Sequence, residues 1–506
     1  MVDSAADPAT PSPEAARGEP QDNLVQTEHT LEVGGVILHY TATTGRMVLR
    51  EEVFDGDTFT GPEDKAEVFV TSYVVHDRDT DDNTSAPSSP ARPVTFAFNG
   101  GPGSSSVWLH LGLLGPRRVD MGDVDALVPP PGRLLDNAES LLAVSDLVFI
   151  DPVSTGYSRA VKGGEAKPFH GVSGDIESVG EIIRLWTTRN GRWLSPKFLA
   201  GESYGTLRAA ALADHLQTRF GMYLNGLMLI SSVLDLGSIG LNEPDEDRGF
   251  VSFLPTYAAI AHVHGRASEG ATLEEVVARA RAYCERDYPW ALSRGDRLVG
   301  EQRAEHVTTL AELTGLDPGW IDRADLRIEH QRFFAQLLRE QDLVVGRLDS
   351  RFTGPAADGN AAVADADPSY DAISGPYAAA FNHHVRDTLG YQSDLHYEQI
   401  SAAVQPWSYS DFEGRSVDVT PRLSRAMRAN PHLRVHVAYG WYDGATPFLA
   451  AEEVLHSLDI PAQAHERIEH RYYPAGHMMY VHEPSRLQQS ADLADFVKRA
   501  SASSDA

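Results

Sequence analysis

The chemical content of this chain lies in a serine, an aspartate and a histidine that occur in that order and in restrictive settings. Ser203 stands in Gly201-Glu202-Ser203-Tyr204-Gly205. Small flanking residues permit a tight turn from a strand into a helix, which projects the hydroxyl into a cleft. The pentapeptide alone is a weak signal in a long chain, so its context decides. An apolar run, Lys197-Phe-Leu-Ala200, precedes it, and an Ala- and Leu-rich helical stretch follows from Thr206 to about Thr218. A serine hydroxyl is a poor nucleophile at neutral pH. It needs an imidazole to take its proton and a carboxylate to hold that imidazole's tautomer. Asp443 lies just past a strand expected over Leu433 to Tyr439, and His477 follows one expected over Ile468 to Tyr473. Position singles out His477 among 20 histidines.

Attack on a carbonyl also requires backbone N–H groups aimed at the developing oxyanion. The residue after the serine, Tyr204, and the glycine-rich loop Asn99-Gly-Gly-Pro-Gly103 are suited to that task. An ordinary glycine turn is the plainer reading of the loop. A phosphate-binding loop is disfavoured because no Gly-Lys-Ser/Thr follows.

These residues need a scaffold of buried strands. Val94-Thr-Phe-Ala-Phe98 and Asp146-Leu-Val-Phe-Ile150 are short apolar runs ended by turn residues, as are Lys197 to Ala200 and Leu224 to Ile230. Strand, helix and strand around Ser203 imply a right-handed crossover. Alternating apolar residues between Thr30 and Val75 predict antiparallel strands, followed by a polar surface loop. The last two strands come about 200 residues after the fourth, far more than a crossover needs. Residues 239–420 are therefore expected to form a mostly helical cap, with helices at Leu273 to Arg286 and Arg327 to Arg339. The core then comprises residues 29–238 and 421–506, and residues 1–28 form a disordered tail. The fold class expected is α/β, an α/β-hydrolase with a mostly parallel sheet and helices on both faces.

Composition narrows the partners. The 506 residues carry a formal charge of −29, which repels nucleic acid and anionic lipid. One cysteine, Cys284, excludes an internal disulfide. No apolar run spans a bilayer, and neither a signal peptide nor an anchor is expected, so a soluble, cytoplasmic protein follows. His383-His384 is an isolated pair without metal-ligand spacing, and no cofactor is required.

Four segments together resemble the serine carboxypeptidase family (peptidase family S10). They are Phe98-Asn-Gly-Gly-Pro-Gly-Ser-Ser-Ser106, Leu147-Val-Phe-Ile-Asp-Pro-Val-Ser-Thr-Gly-Tyr-Ser158, Leu199-Ala-Gly-Glu-Ser-Tyr-Gly205 and Pro474-Ala-Gly-His-Met478. The resemblance implies release of C-terminal residues from peptides through an acyl-enzyme. It makes Ser203, Asp443 and His477 a triad and the amides of Gly101 and Tyr204 an oxyanion hole. Asn99, Gly100 and Glu202 would hold the substrate's terminal carboxylate, while Trp108 and Met478 would line the pocket of the leaving residue. As core residues the last two would be equally ordinary. The family pairs its glutamate with a second carboxyl, but the counted position holds Leu113. That departure predicts that Glu202 ionises more readily and that the pH optimum shifts towards neutral. It also gives an alternative, an esterase or acyltransferase using the same triad.

Overall fold

The computed structural model describes residues 20–76, 91–122, 124, 128–241, 247–267 and 270–502. Three long antiparallel strands open the chain: β1 (Asn23–Val33), β2 (Val36–Asp55) and β3 (Thr58–Val75). The first 19 residues of the expected tail, and most of the polar loop after Val75, lie outside the described residues. The tail's expected end at residue 28 is too late, because Asn23 to Glu28 already pair with β2.

Next come β4 (Val94–Phe98), the hairpin β5 (Arg117–Asp120) and β6 (Arg133–Asp136), β7 (Asp146–Ile150), and a two-residue strand, β8 (Arg159–Ala160). The core strands continue with β9 (Lys197–Glu202) and β10 (Gly226–Ile230). A small hairpin, β11 (Leu343–Val345) and β12 (Thr353–Pro355), sits in the insertion. The last pair is β13 (Arg434–Gly440) and β14 (Ile468–Tyr473). The main sheet runs β1-β2-β3-β7-β4-β9-β10-β13-β14, with β8 beside β3. From β7 to β14 all neighbours are parallel, and β9 lies near the middle between β4 and β10.

Alternate residues of each strand feed opposite layers. Val148, Ile150, Leu199 and Leu229 pack on one face with α2 (Val172–Arg189) and α3 (Tyr204–Phe220). Leu147, Phe149, Ala200 and Met228 pack on the other with Phe496 and Val497 of α12 (Glu483–Ser501). The α2 helix carries Gly174 and Gly180 in its interior, so intrinsic propensity argues against it. Its stripe of Val172, Ile176, Val179, Ile183 and Trp186, all buried, decides in its favour.

The insertion contains α4 (Arg248–Val263), α5 (Leu273–Arg294), α6 (Gly300–Thr314), α7 (Pro318–Arg323), α8 (His330–Gln336) and α9 (Pro368–His383). A capping box between Thr272 and Glu275 fixes the start of α5. The helix expected over Arg327 to Arg339 shrinks to α8. Glu329 caps it by accepting from Gln331 N and Arg332 N, and the chain leaves helical geometry at Leu338. Among the described residues no helix is long and apolar enough to cross a membrane.

One buried charge ties the sheet's lower edge together. Asp146, fully buried at the start of β7, accepts from Arg92 Nε at 2.8 Å and Val75 N at 3.0 Å, and pairs with buried Arg192. Removing one partner of such a group strands the other in a dry interior. Asp146→Ala is expected to destabilise the fold by about 3–5 kcal/mol, read as a lower urea midpoint, while the folded fraction keeps its turnover.

Candidate active site

Ser203 is the single residue between β9 and α3, and its backbone is left-handed, φ 59° and ψ −130°. A non-glycine residue there costs about 1–3 kcal/mol and persists only where its surroundings fix it. Ser203 N–H donates to Ile230 O at 3.0 Å, and Ser203 O accepts from Thr206 N at 2.8 Å and Thr206 Oγ1 at 2.7 Å. Tyr204 begins α3, so its N–H has no intrahelical acceptor. A Cβ on Gly100 would stand 2.5 Å from Tyr204 N, so the Asn99–Gly103 loop can press against this amide only as glycine. Gly101 is the next residue of that loop.

His477 and Asp443 meet across the ends of β13 and β14. His477 Nδ1 is 2.8 Å from Asp443 Oδ2. Asp443 also accepts from Ala445 N at 2.8 Å, Thr446 N at 2.9 Å and Thr446 Oγ1 at 2.7 Å, so both its oxygens are bonded. Ser231, just past β10, donates through Oγ to His477 O at 2.6 Å, which ties the histidine loop to the strand end that holds Ser203 N. Burial alone would depress the His477 imidazole. The charge and hydrogen bond of Asp443, joined by the charge of Glu202, outweigh it and hold the ring above the ordinary histidine range.

Asn99 and Glu202 are bonded to each other, Asn99 Nδ2 donating to Glu202 Oε1 at 2.8 Å. The other face of the amide is fixed by Leu109 N, which donates to Asn99 Oδ1 at 3.0 Å. Trp108 donates from Nε1 to Ser104 Oγ at 2.9 Å and packs against Tyr377, ring centroids 5.0 Å apart. Met478 is buried directly after His477. Asn99 to Gly101, Glu202, Ser203, Asp443, His477 and Met478 thus fall at the ends of β4, β9, β13 and β14 or in the turns just beyond them, where open α/β sheets bind their ligands, while Tyr204 opens α3 and Trp108 lies in the short helix Val107–Leu109.

Four contributors escaped sequence reasoning. Thr446 clamps Asp443, Ser231 anchors His477, Tyr480 donates to Glu202, and buried Arg208 on α3 donates to Asn99 O at 2.6 Å while paired with Asp175 at 2.8 Å. Only Thr446 had a signal, its place three residues after the aspartate.

One expectation attached to Leu113 is overturned, the readier ionisation of Glu202. Leu113 is buried in a π-helical turn, His110–Leu114, and among the described residues the hydrogen-bond partners of Glu202 are Asn99 and Tyr480 rather than a carboxyl, yet Glu202 does not ionise more readily. Burial pushes its carboxyl up to about 7, against the charge of His477 and hydrogen bonds from Tyr480 and Asn99. Desolvation does the work that a carboxyl partner was expected to do.

A glycine-flanked serine at the tip of a central parallel strand, with an aspartate and a histidine following later strands in that order, defines an α/β-hydrolase. Among solved structures the chain is similar to Kex1Δp, a prohormone-processing carboxypeptidase from Saccharomyces cerevisiae. The two are 15% identical, with 93% of this chain and 94% of that chain covered and a TM-score of 0.53. A thermophilic esterase from Thermogutta terrifontis is 12% identical, with 90% of this chain and 100% of that one covered and a TM-score of 0.32. No curated protein matches the chain by sequence. The family model described as Serine carboxypeptidase matches residues 83–483, and the chain belongs to that family. It is a serine-type carboxypeptidase hydrolase.

The geometry sets expectations for an activated ester. Asp443→Asn, which holds the wrong imidazole tautomer, lowers kcat roughly ten-thousand-fold. Thr446→Val removes one donor to the aspartate and lowers kcat roughly ten- to a hundredfold. Glu202→Gln removes a negative charge that raises His477, so the ascending limb of the pH–rate profile moves to lower pH. A limb that stays in place contradicts the coupling.

Proposed function

We propose that this protein removes single residues from the free C-terminus of peptides through an acyl-enzyme on Ser203. His477 Nε2 takes the Ser203 Oγ proton as the oxygen attacks the scissile carbonyl carbon, and Asp443 holds Nδ1–H throughout. The oxyanion lies between the amides of Gly101 and Tyr204. Collapse breaks the C–N bond, and His477 returns the proton to the leaving amino group. The C-terminal residue departs. Water, deprotonated by His477, then attacks the ester carbonyl and releases the shortened peptide.

The observation that carries this reading is the Asn99–Glu202 pair, bonded at 2.8 Å, in which Glu202 directly precedes the nucleophile. The Asn99 side chain, the Gly100 amide and a protonated Glu202 are donors suited to a terminal carboxylate. Trp108 and Met478 supply apolar surface for a bulky leaving residue. A formal charge of −29 and the family's chemistry both favour a peptide over a polyanionic partner.

Product analysis by mass spectrometry tests the assignment. Wild-type protein shortens a peptide mixture stepwise from the C-terminus, and Ser203→Ala leaves it intact. Intact peptides beside hydrolysed esters sink it. The pH dependence is also specified. The base must be neutral, so activity rises through the elevated His477 value. The carboxylate site must keep the Glu202 proton, so binding of a free-acid peptide falls as pH passes about 7. A free-acid dipeptide is expected to give a narrow bell in kcat/KM near neutrality, and an uncharged ester only the ascending limb.

A further inference from the structure

The space that a second carboxyl would occupy beside Glu202 is filled by a phenol. Tyr480, on the short turn Met479–Val481 that follows His477, donates from its hydroxyl to Glu202 Oε2 at 2.7 Å, so both Glu202 oxygens are bonded. Room for the ring comes from the neighbour of Leu113. A Cβ on Gly112 would lie 2.3 Å from the Tyr480 ring and 2.6 Å from the Tyr377 hydroxyl. Gly112 and Leu113 thus offer no polar group, and a buried tyrosine from a distant part of the chain enters in their place.

We propose that Tyr480 is a specificity-determining residue for the free C-terminus, its hydroxyl donating to the substrate's terminal carboxylate alongside Asn99 and Glu202. The proposal deepens the carboxypeptidase reading above and rests on it. A carboxyl group donates a hydrogen bond only while it holds its proton, whereas a neutral phenol does so at any working pH. Burial holds the Tyr480 hydroxyl well above the ordinary tyrosine range, so it stays O–H. In the free protein its one proton goes to Glu202. Once Glu202 is protonated, the phenol is released to turn towards an incoming carboxylate, which has lone pairs for several donors. An amide or ester terminus lacks the charge that strengthens these bonds. The device recognises peptides or acylated amino acids that end in a free α-carboxylate.

The test compares wild type and Tyr480→Phe on an N-blocked dipeptide acid and on the p-nitrophenyl ester of its first residue. Both form the same acyl-enzyme, but only the acid brings a terminal carboxylate. The variant is expected to raise KM for the acid roughly ten- to a hundredfold, with its kcat and the ester kinetics within about twofold of wild type. Loss of the phenol also withdraws a donor from the Glu202 carboxylate, so the descending limb for the acid moves to higher pH. The urea midpoint of the variant, expected close to that of wild type because the ring is kept, separates this selective loss from a folding defect. Equal losses on both substrates, or an unchanged KM, overturn the proposal while leaving the carboxypeptidase reading intact. Wild-type protein that opens the ester and spares the dipeptide overturns both.

Discussion

The left-handed turn at Ser203 is the constraint around which the site is built. Its backbone energy is unfavourable by about 1–3 kcal/mol, and the contacts that hold it come from three directions. The end of β10 accepts its N–H, Thr206 of the following helix donates twice to its carbonyl, and the Asn99–Gly103 loop after β4 packs against Tyr204 N. The first and the last of these are in place because β9 lies between β4 and β10. The strand order that looks like a fold label is therefore a requirement of one dihedral angle. Arg208 reinforces it, because its bond to Asn99 O ties the loop to the same helix that begins at Tyr204.

Two buried carboxylates then face opposite demands. Asp443 is surrounded by four donors, from Ala445, Thr446 twice and His477, and its task of orienting an imidazole suits a fully bonded anion. Glu202 has two, from Asn99 and Tyr480, and burial outweighs them. The imidazole between them responds to both, since each carboxylate raises its affinity for a proton. A proton on Glu202 weakens that effect, so the group that is to grip the substrate and the group that is to activate the serine titrate against one another. Close to neutral pH both can be in the required state in the same molecule.

Much of this was legible in the sequence because it depends on local pattern. Gly201-Glu-Ser203-Tyr-Gly205 needs only its flanking strand and helix, and the order of Asp443 and His477 after their strands follows from the topology. Apart from Thr446, the residues that sequence reasoning missed act through contacts between distant segments. Ser231 reaches His477, Arg208 reaches Asn99, and Tyr480 reaches Glu202, and each is an unremarkable residue for the element that carries it. The mistaken inference from Leu113 had the same origin. It counted the partners of Glu202 along the chain, whereas its proton affinity is set by exclusion of water, which no local pattern records. The α2 helix was obscured by Gly174 and Gly180, and the extent of α8 by an apolar run that continues past the helix end.

The insertion is bonded to the turns of the site itself. His477 N donates to Leu348 O at 2.6 Å, and Gly476 N donates to Asp349 Oδ2 at 3.2 Å. Ser350 N donates to Tyr442 O at 3.1 Å, next to Asp443, while Arg351 Nη1 donates to Pro474 O at 3.0 Å. Four successive residues between β11 and β12 thus grip both turns that present the histidine and the aspartate. Loss of these bonds would remove support from the turns that hold the imidazole against its carboxylate. The segment's attachment to the core helps to hold the geometry of the site.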